Sequence, residues 1–105
     1  MTRMPTNGTL QPKFPLGQVV ATPAALEALE QSGQSPADFL DRHSVGDYGE
    51  VCEEDRQAND DALKDGSRLL SAYRTLANVK LWIITEATDD QGRRAATTVL
   101  LPDEY

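Results

Sequence analysis

Apolar residues recur at helical spacing through the first half of the chain and crowd into short β-type runs in the second, so the pattern predicts helices followed by strands. The run Gln18-Val19-Val20-Ala21 is short, β-branched and stopped by Thr22-Pro23. A proline at a first helical position gives up no needed donor, and a threonine before it caps the exposed N–H groups. A helix over 23–31 is expected, with Leu26 and Leu29 toward the core and Gly33 at its end. The signal repeats at Ser35-Pro36, with Asp38 near the positive end of the dipole, and predicts a second helix over 36–43 carrying Phe39, Leu40 and His43 on one stripe. After a turn-rich loop over 44–49, a third helix is expected over 53–64. Its thin apolar stripe is Val51, Ala58, Ala62 and Leu63, and the rest is almost wholly charged.

From Arg68 onward the texture is β. The segments 68–74, 80–86 and 95–101 are rich in branched and aromatic residues, and each is bounded by turn residues. The segment 80–86 is apolar on both parities, which marks a central strand, and both connections are short enough for hairpins. The expected fold is α+β: short N-terminal helices and one acidic helix packed on a three- to four-stranded antiparallel sheet. Trp82 and Tyr73 are expected as core aromatics of neighbouring strands rather than as a stacking platform.

Before the first run lie three of the six prolines. Residues 1–15 are therefore expected to form a flexible Pro-rich tail, and residues 16–105 a single domain. The chain's 105 residues are 39% hydrophobic and 26% charged, the composition of one ordinary globular unit. A single cysteine, Cys52, excludes an internal disulfide framework. No secretory pattern and no long apolar span are evident, so a cytoplasmic setting with no membrane partner is expected.

Charge changes the picture most. Seventeen acids against ten bases give a net charge of −7, the wrong sign for direct nucleic-acid binding through phosphate neutralisation. The imbalance is local. Residues 47–65 hold Asp47, Glu50, Glu53, Glu54, Asp55, Asp60, Asp61 and Asp65 against Arg56 and Lys64, whereas Arg68, Arg74, Lys80, Arg93 and Arg94 leave 66–101 net positive. Such a run is either a solvated face that keeps a small protein soluble or a docking surface for a basic protein partner. In the second case Asp47, Glu50, Glu53, Glu54, Asp60 and Asp61 make the contact.

Candidate chemistry is sparse. The one histidine, His43, is followed closely by Asp47, Glu50, Glu53 and Glu54, with Cys52 among them, a set of groups able to ligate a metal or act as a general base if they converge. No metal-binding, phosphate-loop or nucleophile-elbow motif accompanies it, and no cofactor is implied. His43, Asp47 and Glu50 are accordingly the weak catalytic candidates, set against His43 as a packed residue of the core.

The stretches FPLGQVVATPAALEALEQSGQSPADFLDRH, GDYGEVCEEDRQAND, LLSAYRT, KLWIITEA and ATTVLLPDEY resemble a small bacterial family of plasmid-related, mobile-element proteins without an assigned chemistry. Tyr48 stands where that family tends to carry tryptophan, and the hairpin from Asp89 to Arg94 is longer here. The resemblance implies a mobile-element setting and no mechanism. Three functional readings follow: a non-enzymatic interaction module docking a basic partner through 47–65, a small metal-dependent hydrolase or nuclease centred on His43, and a dimeric structural accessory protein pairing through a sheet edge.

Overall fold

The computed structural model describes residues 11–105. Seven elements follow in order: β1 (Gln18–Ala21), α1 (Pro23–Ser32), α2 (Pro36–Ser44), α3 (Glu53–Asp65), β2 (Leu69–Arg74), β3 (Lys80–Thr85) and β4 (Ala96–Leu100), closed by a 3-10 turn at Pro102–Glu104. The chain is an α+β domain. Thr22 caps α1 through Oγ1, which accepts from the Ala25 N–H at 3.1 Å, and the Ser35 N–H donates to the Asp38 carboxylate at 3.0 Å at the start of α2.

The sheet order is β1-β4-β3-β2, which corrects the antiparallel expectation: β2, β3 and β4 are antiparallel, but β1 runs parallel to β4. More than seventy residues separate β1 from β4, ample for the crossover that a parallel pair requires. Hairpin logic governs only the short connections, and β1 is outside their reach.

Period-two alternation gives the sheet two unlike faces. The inner face carries Leu69, Ser71, Tyr73, Leu81, Ile83, Thr85, Thr97 and Val99, all buried. Over its middle lie Ala25 and Leu29 of α1 with Phe39 and Leu40 of α2, forming the main core. Beside it, Phe14, Tyr48, Ala62 and Leu69 form a second cluster beneath α3. The outer face holds Trp82, half-buried, which meets the Tyr105 ring at 5.8 Å. Trp82 and Tyr73 thus lie on opposite faces, and only Tyr73 is a core aromatic.

Three expected details change. Leu29 is buried as expected, but Leu26 is 46% exposed, and α1 instead turns Ala25 and Ala28 inward, small side chains that let the helix approach the strands closely. Ala58 is exposed, and α3 buries Asn59 with Ala62. Of the expected flexible tail, residues 1–10 lie outside the described residues. The described part is anchored: Phe14 is buried, and the Lys13 N–H donates to the Ser44 carbonyl at 2.7 Å.

Candidate functional site

His43 sits on the inward stripe of α2, as its spacing from Phe39 and Leu40 predicts, and the packing carries it under the sheet. It is fully buried, with Phe14 edge-on at 5.1 Å and Tyr48 at 6.3 Å between ring centroids. Both ring nitrogens are engaged: Nδ1 lies 2.5 Å from Ser71 Oγ and Nε2 lies 2.8 Å from Thr85 Oγ1. Thr85 Oγ1 is in turn 2.7 Å from Thr97 Oγ1, and the Thr97 hydroxyl donates to the Leu16 carbonyl at 2.7 Å.

Counting donors fixes the direction of this chain. A carbonyl only accepts, so Thr97 spends its proton on Leu16 and must accept from Thr85. Thr85 then accepts from His43 Nε2–H, and because burial keeps the imidazole neutral near pH ~7, Nδ1 accepts from the Ser71 hydroxyl. The imidazole is neutral and protonated on Nε2. Desolvation pushes its pKa from 6.5 down to about 4, so the charged form is absent near neutrality.

The carboxylates that accompany His43 in sequence do not converge on it. Asp47 turns outward and accepts from Arg42 Nε at 2.8 Å, a bond that lowers its pKa, while the Arg42 guanidinium covers the Tyr73 ring at 4.6 Å. Glu50 pairs with Arg74 at 2.9 Å across to β2. Among the described residues no three His, Cys, Asp or Glu side chains are grouped so as to hold a metal ion. With both nitrogens committed inside the core, His43 lacks a free lone pair for a ligand or a substrate proton. Asp47 and Glu50 act as structural partners of arginines.

Two residues that the sequence does not single out as site candidates hold α3 in place. Asn59 donates through Nδ2 to the Leu70 carbonyl at 2.7 Å and accepts from the Leu70 N–H at 3.0 Å, so its amide substitutes for a neighbouring strand on β2. One step further along, the Ala72 N–H donates to Tyr48 O at 3.0 Å and Ala72 O accepts from the Glu50 N–H at 2.7 Å. That approach requires Gly49: at its φ of +74° a Cβ would lie 2.1 Å from Ala72 O. Arg94, buried, donates to the carbonyls of Ser67 at 2.7 Å, Glu86 at 3.0 Å and Ala62 at 3.1 Å, the last in the final turn of α3, where a cation complements the helix dipole.

Held on these two anchors, α3 directs its other side outward. Helical periodicity puts Glu53, Glu54, Asp60 and Asp61 on the arc opposite Asn59 and Ala62, and all four are exposed. Glu53 pairs with Arg56, and Gln57 donates to Asp61 at 3.3 Å, contacts that remain on the surface. Across Glu53–Asp65, six acids face two bases. No family model, no curated protein and no solved structure matches the chain.

Proposed function

We propose that this chain is a protein-interaction module that docks a basic protein partner through the outward face of α3. The observation that carries the reading is the division of the acidic segment. Asp47 and Glu50 pair with Arg42 and Arg74 away from the helix, whereas Glu54, Asp60, Asp61 and Glu53, which pairs with Arg56 of its own helix, share one solvent face of a helix anchored by Asn59 and Arg94. A fixed surface of predominantly negative charge, six acids against Arg56 and Lys64, steers a partner of opposite charge and raises its association rate most at low ionic strength. The sequence resemblance to plasmid-related proteins supports a bacterial mobile-element setting for that interaction.

The test is capture of partners on the immobilised chain. Wild type is compared with a bait carrying Glu53→Lys, Glu54→Lys, Asp60→Lys and Asp61→Lys, and with a second bait altered only at Leu76, the exposed tip of the β2–β3 hairpin. The supporting result is a basic protein retained by wild type and the Leu76 bait but not by the charge-reversed one. Its affinity should fall steeply as salt is raised from about 0.1 M to about 1 M, over which the screening length shrinks from about 10 Å to about 3 Å. Equal retention by all three baits, or salt-insensitive binding, refutes the reading.

A further inference from the structure

The two ends of the sheet are finished differently. At the β2 end, the outward-directed backbone groups of Leu70 and Ala72 are filled by Asn59 and by the Tyr48–Glu50 loop, which bridges to Ala72 at Gly49. At the β1 end nothing described plays that part. Gln18 N–H donates to Ala95 O and Thr22 N–H to Val99 O, each at 3.0 Å, and strand alternation therefore turns Gln18, Val20 and Thr22 toward β4. Val19 and Ala21 turn their N–H and C=O groups away from it, and no described residue hydrogen-bonds to them. Val19 is 43% and Val20 41% exposed, so this edge is apolar on both faces as well as open.

Edge strands are normally guarded by a charge, a proline or a covering element. Here the guard is missing within the strand itself. The run from Phe14 to Leu26 contains no charged residue and is the longest uncharged run in a chain of net charge −7, and its neighbour β4 lies in another, from Ala95 to Pro102. Two copies of so acidic a protein repel one another over most approaches, whereas β1 itself carries no charge, and the carboxylate that meets the chain just past its end is Glu104, which accepts from Thr22 Oγ1 at 2.8 Å.

We propose that β1 is a self-association edge on which a second copy of this chain docks, antiparallel, about a two-fold axis through Val20. The geometry is self-complementary, as an isologous contact requires. Val19 of each copy lies opposite Ala21 of the other, and the two N–H and two C=O groups that each copy points outward pair with their counterparts. Val20 meets its own counterpart on the outer face, where it ends the cross-strand row Leu70, Ile84, Thr98, Val20, so the row continues without a break into the second sheet. The acidic face of α3 sits beyond β2, at the other end of the sheet, and stays free in the assembly.

The experiment is sedimentation equilibrium on the full chain, with residue-resolved amide exchange on the same samples. Wild type is expected at twice 11.5 kDa, with the Val19 and Ala21 amides becoming protected as concentration rises. Val19→Lys places a charge on each side of the axis and is expected to weaken association at least tenfold. Val19→Pro removes an outward donor while sparing the β1–β4 ladder and is expected to do the same. The α3 charge-reversed chain should still dimerise. A wild type that stays monomeric up to about 1 mM overturns the proposal, as does undiminished dimerisation in both Val19 variants. So does protection of Val19 and Ala21 at every concentration, which would mean that the edge is filled from within the same chain. The exchange measurement on wild type decides the matter even if a Val19 variant does not fold.

Discussion

Acid acts on this fold through His43 before it acts through most of the carboxylates. The unfolded chain takes up a proton on this imidazole below about 6.5, but the folded chain does so only below about 4. Between those values the unfolded state binds more protons, so stability rises with pH. The contribution is complete above the unfolded pKa, is lost progressively as pH falls from 6.5 toward 4, and stays lost below. Integrated over the whole window it amounts to about 3 kcal/mol, of which about 2 kcal/mol is lost between pH ~7 and pH ~5. Carboxylates contribute a background that a reference variant removes. His43→Gln abolishes the titration, lowers stability near neutrality by breaking the chain from Ser71 to Leu16, and leaves a flatter pH dependence. Urea unfolding followed by fluorescence of the single tryptophan, Trp82, at several pH values gives both slopes. Parallel slopes for the two proteins would refute the reasoning. So would an imidazole in the folded protein that titrates near 6.5, or nitrogen shifts showing the proton on Nδ1.

Other substitutions separate the remaining contacts. Asn59→Ala strands the Leu70 N–H and C=O and is expected to cost about 2 to 3 kcal/mol in urea denaturation, whereas Asn59→Asp keeps the acceptor, loses the donor and recovers only part of that. Arg94→Lys, despite conserving charge, cannot span three carbonyls and is expected to lose at least about 2 kcal/mol; a melting point equal to wild type would contradict the clamp. Gly49→Ala is expected to destabilise by more than about 2 kcal/mol, combining the positive φ with the clash against Ala72 O. Tyr48→Phe has the opposite sign. The Tyr48 hydroxyl is buried without a hydrogen-bond partner among the described residues, so its removal is expected to be neutral or to stabilise by up to about 1 kcal/mol.

The local signals in the sequence translated directly into elements. Thr22-Pro23 and Ser35-Pro36 start helices because a capping side chain and a fixed φ act within one turn, and the strand segments end where turn residues stand. What local signals do not carry is which side of a helix a distant sheet will cover. Leu26 and Leu29 are equally apolar, yet only Leu29 is inside, because Ala25 and Ala28 allow the closer approach. The direction of β1 was hidden for the same reason, since its partner lies at the far end of the chain and no short connection dictates how the two align.

The polar interior was less legible still, and for a chemical reason. Ser71, Thr85 and Thr97 occupy inward parities where a valine would serve as well for β-propensity, so in sequence they read as ordinary strand residues. Only the arrival of His43 from α2 gives their hydroxyls a purpose, and only the Leu16 carbonyl gives the chain of donors an end. Arg94 likewise read as part of a basic stretch, and Asn59 as part of a charged helix, although both are buried and engaged with backbone. Clustering along the sequence therefore misled in both directions. The nearest apparent catalytic set, His43 with Asp47 and Glu50, is separated by the fold into a sealed core and two surface ion pairs. The acidic run pairs those same two carboxylates with arginines from outside it and keeps its net negative charge along α3. The two surfaces proposed to act are therefore narrower than the acidic run of the sequence: a mostly acidic helix face at one end of the sheet and a strand edge without charged residues at the other. Because a basic partner and a second copy make opposite electrostatic demands, salt is expected to separate the two proposed surfaces: partner binding at α3 should weaken as ionic strength rises, whereas pairing at β1 should hold or strengthen as repulsion between copies is screened.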